Sequence, residues 1–263
     1  MPFAGQTVVV TGAAGGIGAH TARRFAAAGA QVALCDINEQ DLTRTALDLP
    51  GSLARRVDIT DRQALAEFVD ACVQRFGGID VWINNATSCT DTPFLQVTPE
   101  QLYRDIEVNL IAPFLAAQLV VPRMVAQGGG VILNVASVNA LGYFGNDAYS
   151  AAKAGLISLT RGIAVQFSGQ GVRCVALAPS TIETEHWAHR IAVDPHVLEQ
   201  AAQWYPAGRI GQVDDVSDAL LFLASPQAAW ITGTVITLDG GLLAGNLAMA
   251  RGIVPDPGSQ AQS

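Results

Sequence analysis

The chain has 263 residues, half of them hydrophobic and only 14% charged, with a formal net charge of −8. That length suits one large α/β domain and is short for two. The acidic balance argues against nucleic-acid binding, which wants a basic stripe.

The N-terminus, MPFAGQTVVVTG, carries neither a basic n-region nor a long apolar run, so no signal peptide is expected. Apolar stretches look strand-length and glycine-interrupted, which predicts no membrane span and a cytoplasmic protein. TVVV (7–10) reads as a strand, Ile17 to Ala28 as an alanine-rich helix ended by Gly29, and QVALCD (31–36) as a second strand. Residues 39–48 look helical. LARRVD (53–58) is a strand, 61–76 a helix stopped by Gly77-Gly78, and IDVWIN (79–84) the fourth strand. A long helix is expected from Pro99 to Ala126, with Pro113 and Pro122 as kink points. VILNVAS (131–137) is a strand, 147–168 a helix, VRCVALAP (172–179) a strand, 214–224 a helix and TVITLD (234–239) the last strand.

Strand and helix in alternation predict an α/β fold: a doubly wound parallel sheet of about seven strands with helices on both faces. The strands are apolar nearly throughout, as burial on both faces requires. One domain is expected over residues 1–250, with a frayed tail at 251–263. Residues 180–212 lack clear periodicity and hold Trp187, Trp204, Tyr205 and three of the four histidines, which suits a substrate loop. His186 and His189 lie close together without a nearby cysteine and read as a polar loop, so no metal site is expected. The four cysteines, Cys35, Cys72, Cys89 and Cys174, are scattered and read as mostly buried thiols in a reducing compartment.

TGAAGGIG (11–18) follows the first strand and opens the first helix. Glycine permits a tight turn and close backbone approach, and a helix N-terminus offers N–H groups to a pyrophosphate. The Gly12, Gly16, Gly18 spacing differs from G-x-G-x-x-G, yet its place in a βαβ unit favours a dinucleotide. Asp36 closes the second strand, where a carboxylate can accept hydrogen bonds from both ribose hydroxyls of NAD and repel the 2′-phosphate of NADP. No lysine or arginine lies in the turn, and Arg23 and Arg24 are expected to face solvent, so NAD is preferred over NADP. As an alternative, Asp36 is only a strand-end turn residue.

AYSAAKAG (148–155) puts Tyr149 and Lys153 one helical turn apart on one face. A nearby ammonium is expected to lower the phenol's pKa, so that Tyr149 exchanges a proton with a substrate oxygen. Ser137 ends the fifth strand at the carboxyl edge, where open α/β sheets bind ligands, and could polarise that oxygen.

In order and combination, TGAAGGIG, Asp36, Asp58, NNA (84–86), Asn109, Ser137, YSAAK (149–153), PSTIET (179–184) and the late T-G-x5-D-G-G are similar to the short-chain dehydrogenase/reductase family over nearly the whole chain. The resemblance implies a single-domain Rossmann-type fold and a catalytic tetrad of Asn109, Ser137, Tyr149 and Lys153. Tyr149 would be the general acid/base; Lys153 would lower its pKa and hold the nicotinamide ribose. Ser137 would orient the substrate oxygen, and Asn109 a relay water. The cofactor set it implies is Gly12, Gly16, Ile17, Gly18, Asp36, Asp58, Ile59, Asn85, Ala86, Tyr149, Lys153, Pro179, Ile182 and Thr184. Two positions depart from the family pattern: Thr87 replaces the glycine of N-N-A-G, and Ser180 the glycine after Pro179. If either backbone needed positive φ, the threonine would be the costlier fit.

Hydride transfer between NAD(H) and a secondary alcohol or ketone of medium size, partly apolar or cyclic, is the expected activity. Ser88, Asn139, Tyr143 and Trp187, with Ser137 and Tyr149, are the expected substrate contacts; Cys89, Glu183 and His186 lie in the same segments. The alternatives are a 3-oxoacyl thioester reductase, in which NADPH and a basic residue near Gly15 would be usual, and a non-catalytic NAD-sensing protein. The family also implies a homo-tetramer, with the apolar runs at 110–121 and 154–165 as candidate subunit surfaces.

Overall fold

The computed structural model describes residues 1–254, apart from the side chains of His186, His189 and Leu247. Seven strands form one parallel sheet: β1 (Thr7–Thr11), β2 (Gln31–Asp36), β3 (Leu53–Arg56), β4 (Val81–Asn84), β5 (Gly130–Val135), β6 (Val172–Pro179) and β7 (Val235–Leu238). Their order is β3-β2-β1-β4-β5-β6-β7. The order reverses between β1 and β4, so the crevice for a ligand opens beyond the carboxyl ends of these two strands.

The period-two alternation of each strand decides which helix it meets. Val8, Val10, Val32 and Leu34 face the layer of α1 (Gly16–Ala27) and α2 (Glu39–Leu47), where Phe25 and Leu42 are buried. Val9, Ala33, Trp82 and Ile132 face the opposite layer, built from α3 (Arg62–Phe76) and later helices, where Phe68, Val120 and Met124 are buried. Fully burying a side chain such as Phe25 or Phe68 contributes about 1.5–3 kcal/mol. Asp61 caps α3 by accepting from Gln63 and Ala64 N–H groups, and Gly77 ends it in the left-handed region at φ 91°.

The long helix expected over 99–126 is one apolar run in three parts: α4 (Pro99–Ile106), a π-helical turn (Glu107–Ile111) and α5 (Ala112–Ala126). Pro113 has no N–H to give the Asn109 carbonyl four residues back. The chain instead passes an i→i−5 bond from Ala112 to Glu107. The expectation of only strand-length apolar stretches is thereby corrected. Pro99–Ala126 has a mean hydropathy of 1.6 and is long and apolar enough to cross a membrane by composition, yet half of that window packs inside the fold.

After α6 (Asp147–Phe167), the segment 180–212 has more structure than its sequence suggested. It holds two short helices, α7 (Ala188–Val193) and α8 (Val197–Ala202). Helix α9 (Val213–Ala224) returns to pack beside α1, where Ser217 bonds His20 and Thr21. The expected tail boundary at 250 falls within α10 (Leu247–Ile253), and residues 255–263 lie outside the described residues.

Candidate active site

Thr11 ends β1 and ties it to the end of β4. Its hydroxyl donates to the Ile83 carbonyl at 3.2 Å and accepts from the Asn85 and Ala86 N–H groups at 3.0 and 3.1 Å. The Asn85 amide donates back to the Thr11 and Gly12 carbonyls, both at 3.0 Å. This clamp leaves no room for a side chain at two of the glycines. A Cβ on Gly12, already at φ +67°, would lie 2.6 Å from Ala86 Cα, and one on Gly18 would lie 2.0 Å from the Gly12 carbonyl oxygen. Gly15, the N-cap of α1, provides no side-chain cap, so the first N–H groups of the helix point into the crevice free for an anion.

A cleft of about 480 Å³ extends from Asp36 past this turn, along Ile17, Asn85 and Ala86, to Tyr149 and Lys153. Pro179, Ile182 and Thr184 line its far wall. A smaller cavity of about 100 Å³ lies between Asp36, Asp58, Ile59 and Ala86. All the residues the sequence assigned to a cofactor therefore face these two spaces. Asp36 accepts from the Ala14 N–H at 3.0 Å and from the Asn38 N–H at 2.9 Å, so it braces the turn as well as lining the cleft. Burial works to raise the Asp58 carboxyl, but hydrogen bonds from Thr60 and the nearby Arg104 and Arg56 bring it below its ordinary value. Among the described residues lining the larger cleft, the single cation is Lys153, at the end away from Asp36.

Helix α6 places Tyr149 and Lys153 on one side, with Lys153 Nζ 5.5 Å from the centre of the Tyr149 ring. Lys153 is only 2% exposed, and its Nζ donates to the Val135 carbonyl at 2.7 Å. Burial lowers its pKa to about 7. The expectation that the lysine acidifies the tyrosine is reversed in the protein alone. Burial raises Tyr149 to about 12; the Ser137 hydrogen bond draws it down, while Cys89 and Asp105 push it up. The Lys153 Nζ is turned to the Val135 carbonyl, and desolvation sets the direction of the phenol's shift.

Asn109 sits in the π-helical turn, fully buried. Its amide donates to the Ser88 carbonyl at 2.6 Å and to the Asp105 carbonyl at 2.8 Å, and its oxygen accepts from the Thr87 hydroxyl at 2.8 Å. Thr87 thus adds a hydrogen bond where a glycine would offer none. Asn146 is the one non-glycine with positive φ among the described residues, so neither Thr87 nor Ser180 occupies the left-handed region. The strain considered for these two positions does not arise.

The expected substrate contacts are more dispersed. Ser137 and Tyr149 line the cleft. The Ser88 hydroxyl is held by Asp105 at 2.7 Å. Asn139 accepts from Ser137 at 3.2 Å and donates to Gly145 and Ser150, so it orients Ser137. Tyr143 is 80% exposed, outside the residues lining the cleft. The Trp187 indole N–H donates to the Ile182 carbonyl at 3.1 Å, and Glu183 is engaged by Gln212. Arg209 is bound to Asp215. Two features escaped the sequence reading: the buried Asp105, and an ion pair of 2.8 Å between Arg190 and Asp91 that joins α7 to the segment after β4. Asp105 stands four residues before Asn109, a spacing that puts both on one helical face and could have singled it out.

The cleft, the glycine turn and the open doubly wound sheet are those of a Rossmann-like α/β fold. Residues 12–243 match the family described as enoyl-(acyl carrier protein) reductase. The chain is 38% identical to the 3-oxoacyl-[acyl-carrier-protein] reductase of Thermotoga maritima, over 92% of this chain and 100% of that one. It is 35% identical to the 7alpha-hydroxysteroid dehydrogenase of Escherichia coli K12, over 90% and 94% of the two chains. The crystal structure of a short-chain dehydrogenase/reductase family oxidoreductase from Burkholderia thailandensis superposes with a TM-score of 0.87 at 37% identity, covering 95% of this chain and 98% of that one. The chain belongs to the short-chain dehydrogenase/reductase family, whose members act on alcohols and ketones with NAD(P).

Proposed function

We propose that the protein transfers a hydride between NAD(H) and a secondary alcohol or ketone of medium size, partly apolar or cyclic. The observation that carries this reading is the convergence of Tyr149, Lys153 and Ser137 on the same cleft as the glycine turn and Asp36. The glycine turn and the open N-terminus of α1 would hold the pyrophosphate, Asp36 the adenosine ribose, Asp58 and Ile59 the adenine, and Ile182 and Thr184 the nicotinamide end. When bound, the dinucleotide supplies hydride acceptance or donation. Tyr149 takes the alcohol proton in oxidation and returns it in reduction. Ser137, oriented by Asn139, holds the substrate oxygen. Lys153, with its pKa near 7, can take up or release a proton at neutral pH. Asn109 fixes the turn beside it.

Preference for NAD over NADP is supported by Asp36 and Asp41 lining one end of the larger cleft, where Arg44 is already paired with Asp41 and Arg104, beside the smaller cavity, faces Asp58. The cyclic substrate is supported by the likeness to a hydroxysteroid dehydrogenase. Likeness to a 3-oxoacyl-carrier-protein reductase favours a second reading, a thioester reductase. A panel of secondary alcohols, cyclic ketones and 3-oxoacyl thioesters, each with NAD(H) and NADP(H) and followed by nicotinamide absorbance, separates the two. Turnover of alcohols with NAD supports the first reading; NADPH-dependent thioester reduction alone overturns it. Binding of NADH with no turnover of any compound would indicate a sensing protein.

A homo-tetramer completes the proposal. Ile111 and Phe114 near the start of α5, Val165 on α6, and Phe222 and Trp230 beside β7 are exposed apolar side chains that a second copy would cover. Buried free thiols at Cys35, Cys72 and Cys174 suit the cytoplasm, where we place the protein.

A further inference from the structure

Asp105 is a buried acidic residue outside the proton-transfer set. It lies on α4, is 0% exposed, and has no ion-pair partner among the described residues. Taking a carboxylate out of water costs several kcal/mol unless hydrogen bonds compensate. Here they come from one short segment: the Ser88 hydroxyl donates at 2.7 Å and the Thr90 N–H at 3.0 Å. The same segment is held from two more sides. Asn109 donates to the Ser88 carbonyl at 2.6 Å, and Asn146, the N-cap of α6, donates to the Thr90 carbonyl at 3.0 Å. Residues 88–90 are therefore fixed to the π-helical turn at one end. At the other they are fixed to the helix that carries Tyr149 and Lys153.

Cys89 sits between the two pinned residues and is the exposed cysteine of the four. Burial raises its thiol to about 11; Asp105 and Asp91 push the same way and Lys153 opposes them. Asp91 is itself paired with Arg190.

We propose that Asp105 is a positioning residue that holds residues 88–90 as the rigid wall continuing the cleft from Thr87 past Tyr149, and thereby sets substrate fit. The kinetic side of the proposal rests on the hydride-transfer reading above; the chemical side rests on the hydrogen bonds alone.

Asp105→Ala in the full chain tests both. A methyl side chain accepts neither from the Ser88 hydroxyl nor from the Thr90 N–H, so both pins are lost, whereas a carboxamide could keep Thr90 on its oxygen and donate to the Ser88 oxygen. The first readout is alkylation of Cys89 by iodoacetamide at pH 8, followed by mass spectrometry. A released segment opens the Cys89 thiol to the reagent more often, so alkylation should speed up roughly several-fold. The second is kinetic. KM for the alcohol should rise several-fold with NADH affinity unchanged. Ser88→Ala drops one pin and leaves the Thr90 bond. It should raise KM and speed Cys89 alkylation to a lesser degree, and it decides the matter if Asp105→Ala does not fold. Alkylation rate and KM both unchanged in the variant overturn the proposal. If the wild-type chain turns over no alcohol or ketone, the hydride-transfer reading fails, and the alkylation rate alone then supports or overturns the role of Asp105.

Discussion

Lys153 Nζ lies 2.7 Å from the Val135 carbonyl oxygen and 5.5 Å from the centre of the Tyr149 ring, with 2% of the residue exposed. The lysine is thus wedged between the end of β5 and the tyrosine, with a single carbonyl as its hydrogen-bond partner among the described residues. This is a costly place for an ammonium, and the cost is borne by the fold.

Replacing it should expose that cost. The folded pKa of Lys153 is lowered to about 7 from the ordinary 10.5. Between these values the unfolded chain binds a proton that the folded chain does not, so stability rises with pH across this window. Lys153→Met should abolish turnover and raise stability at pH 7 by at least about 1 kcal/mol, or roughly 2–4 °C in Tm at this chain length. The gap between variant and wild type should narrow from pH 7 to pH 9. Thermal melts of the free protein at both pH values check it; a variant less stable than wild type at pH 7 contradicts the account.

Asp36 should control cofactor choice. Asp36→Ser retains an acceptor for the Asn38 N–H while removing the charge and one ribose hydrogen bond. The ratio of kcat/KM for NAD over NADP should fall roughly 10- to 100-fold, the equivalent of about 1.5–3 kcal/mol. Steady-state kinetics with both dinucleotides measure this. An unchanged ratio would assign Asp36 only its role in bracing the glycine turn.

The proposed tetramer has a direct check. Light scattering should give a mass about four times the 27.5 kDa chain. Trp230 is 99% exposed. Trp230→Glu should yield smaller species with the melting temperature of the isolated subunit little changed, since the side chain touches little of its own chain. A wild-type monomer would contradict the tetramer.

The sheet was legible because its period-two and period-3.6 patterns come from local chain geometry: TVVV, QVALCD and VRCVALAP fall within one residue of β1, β2 and β6. The glycine turn was legible for a related reason. Gly12 and Gly18 are required by contacts with Ala86 and the Gly12 carbonyl within a fixed turn, and such requirements leave a spacing in sequence. What stayed hidden depends on distant partners. Asp105 looks like any polar helix residue until Ser88 and Thr90 fold over it. The π-helical turn had one local sign, Pro113, which also fits an ordinary kink. The raised pKa of Tyr149 was misjudged because spacing reveals the lysine but not the burial of both groups. The helices α7 and α8 are too short for a periodic signal to stand out.

The central claim is that the Tyr149 hydroxyl moves the substrate proton. Tyr149→Phe removes that oxygen and little else, so NADH binding, followed by fluorescence, should remain within about twofold of wild type. Turnover of the best alcohol or ketone from the panel, followed by nicotinamide absorbance, should fall by about 10²- to 10⁴-fold. Turnover at the wild-type rate in this variant, with NADH still bound, would contradict the account.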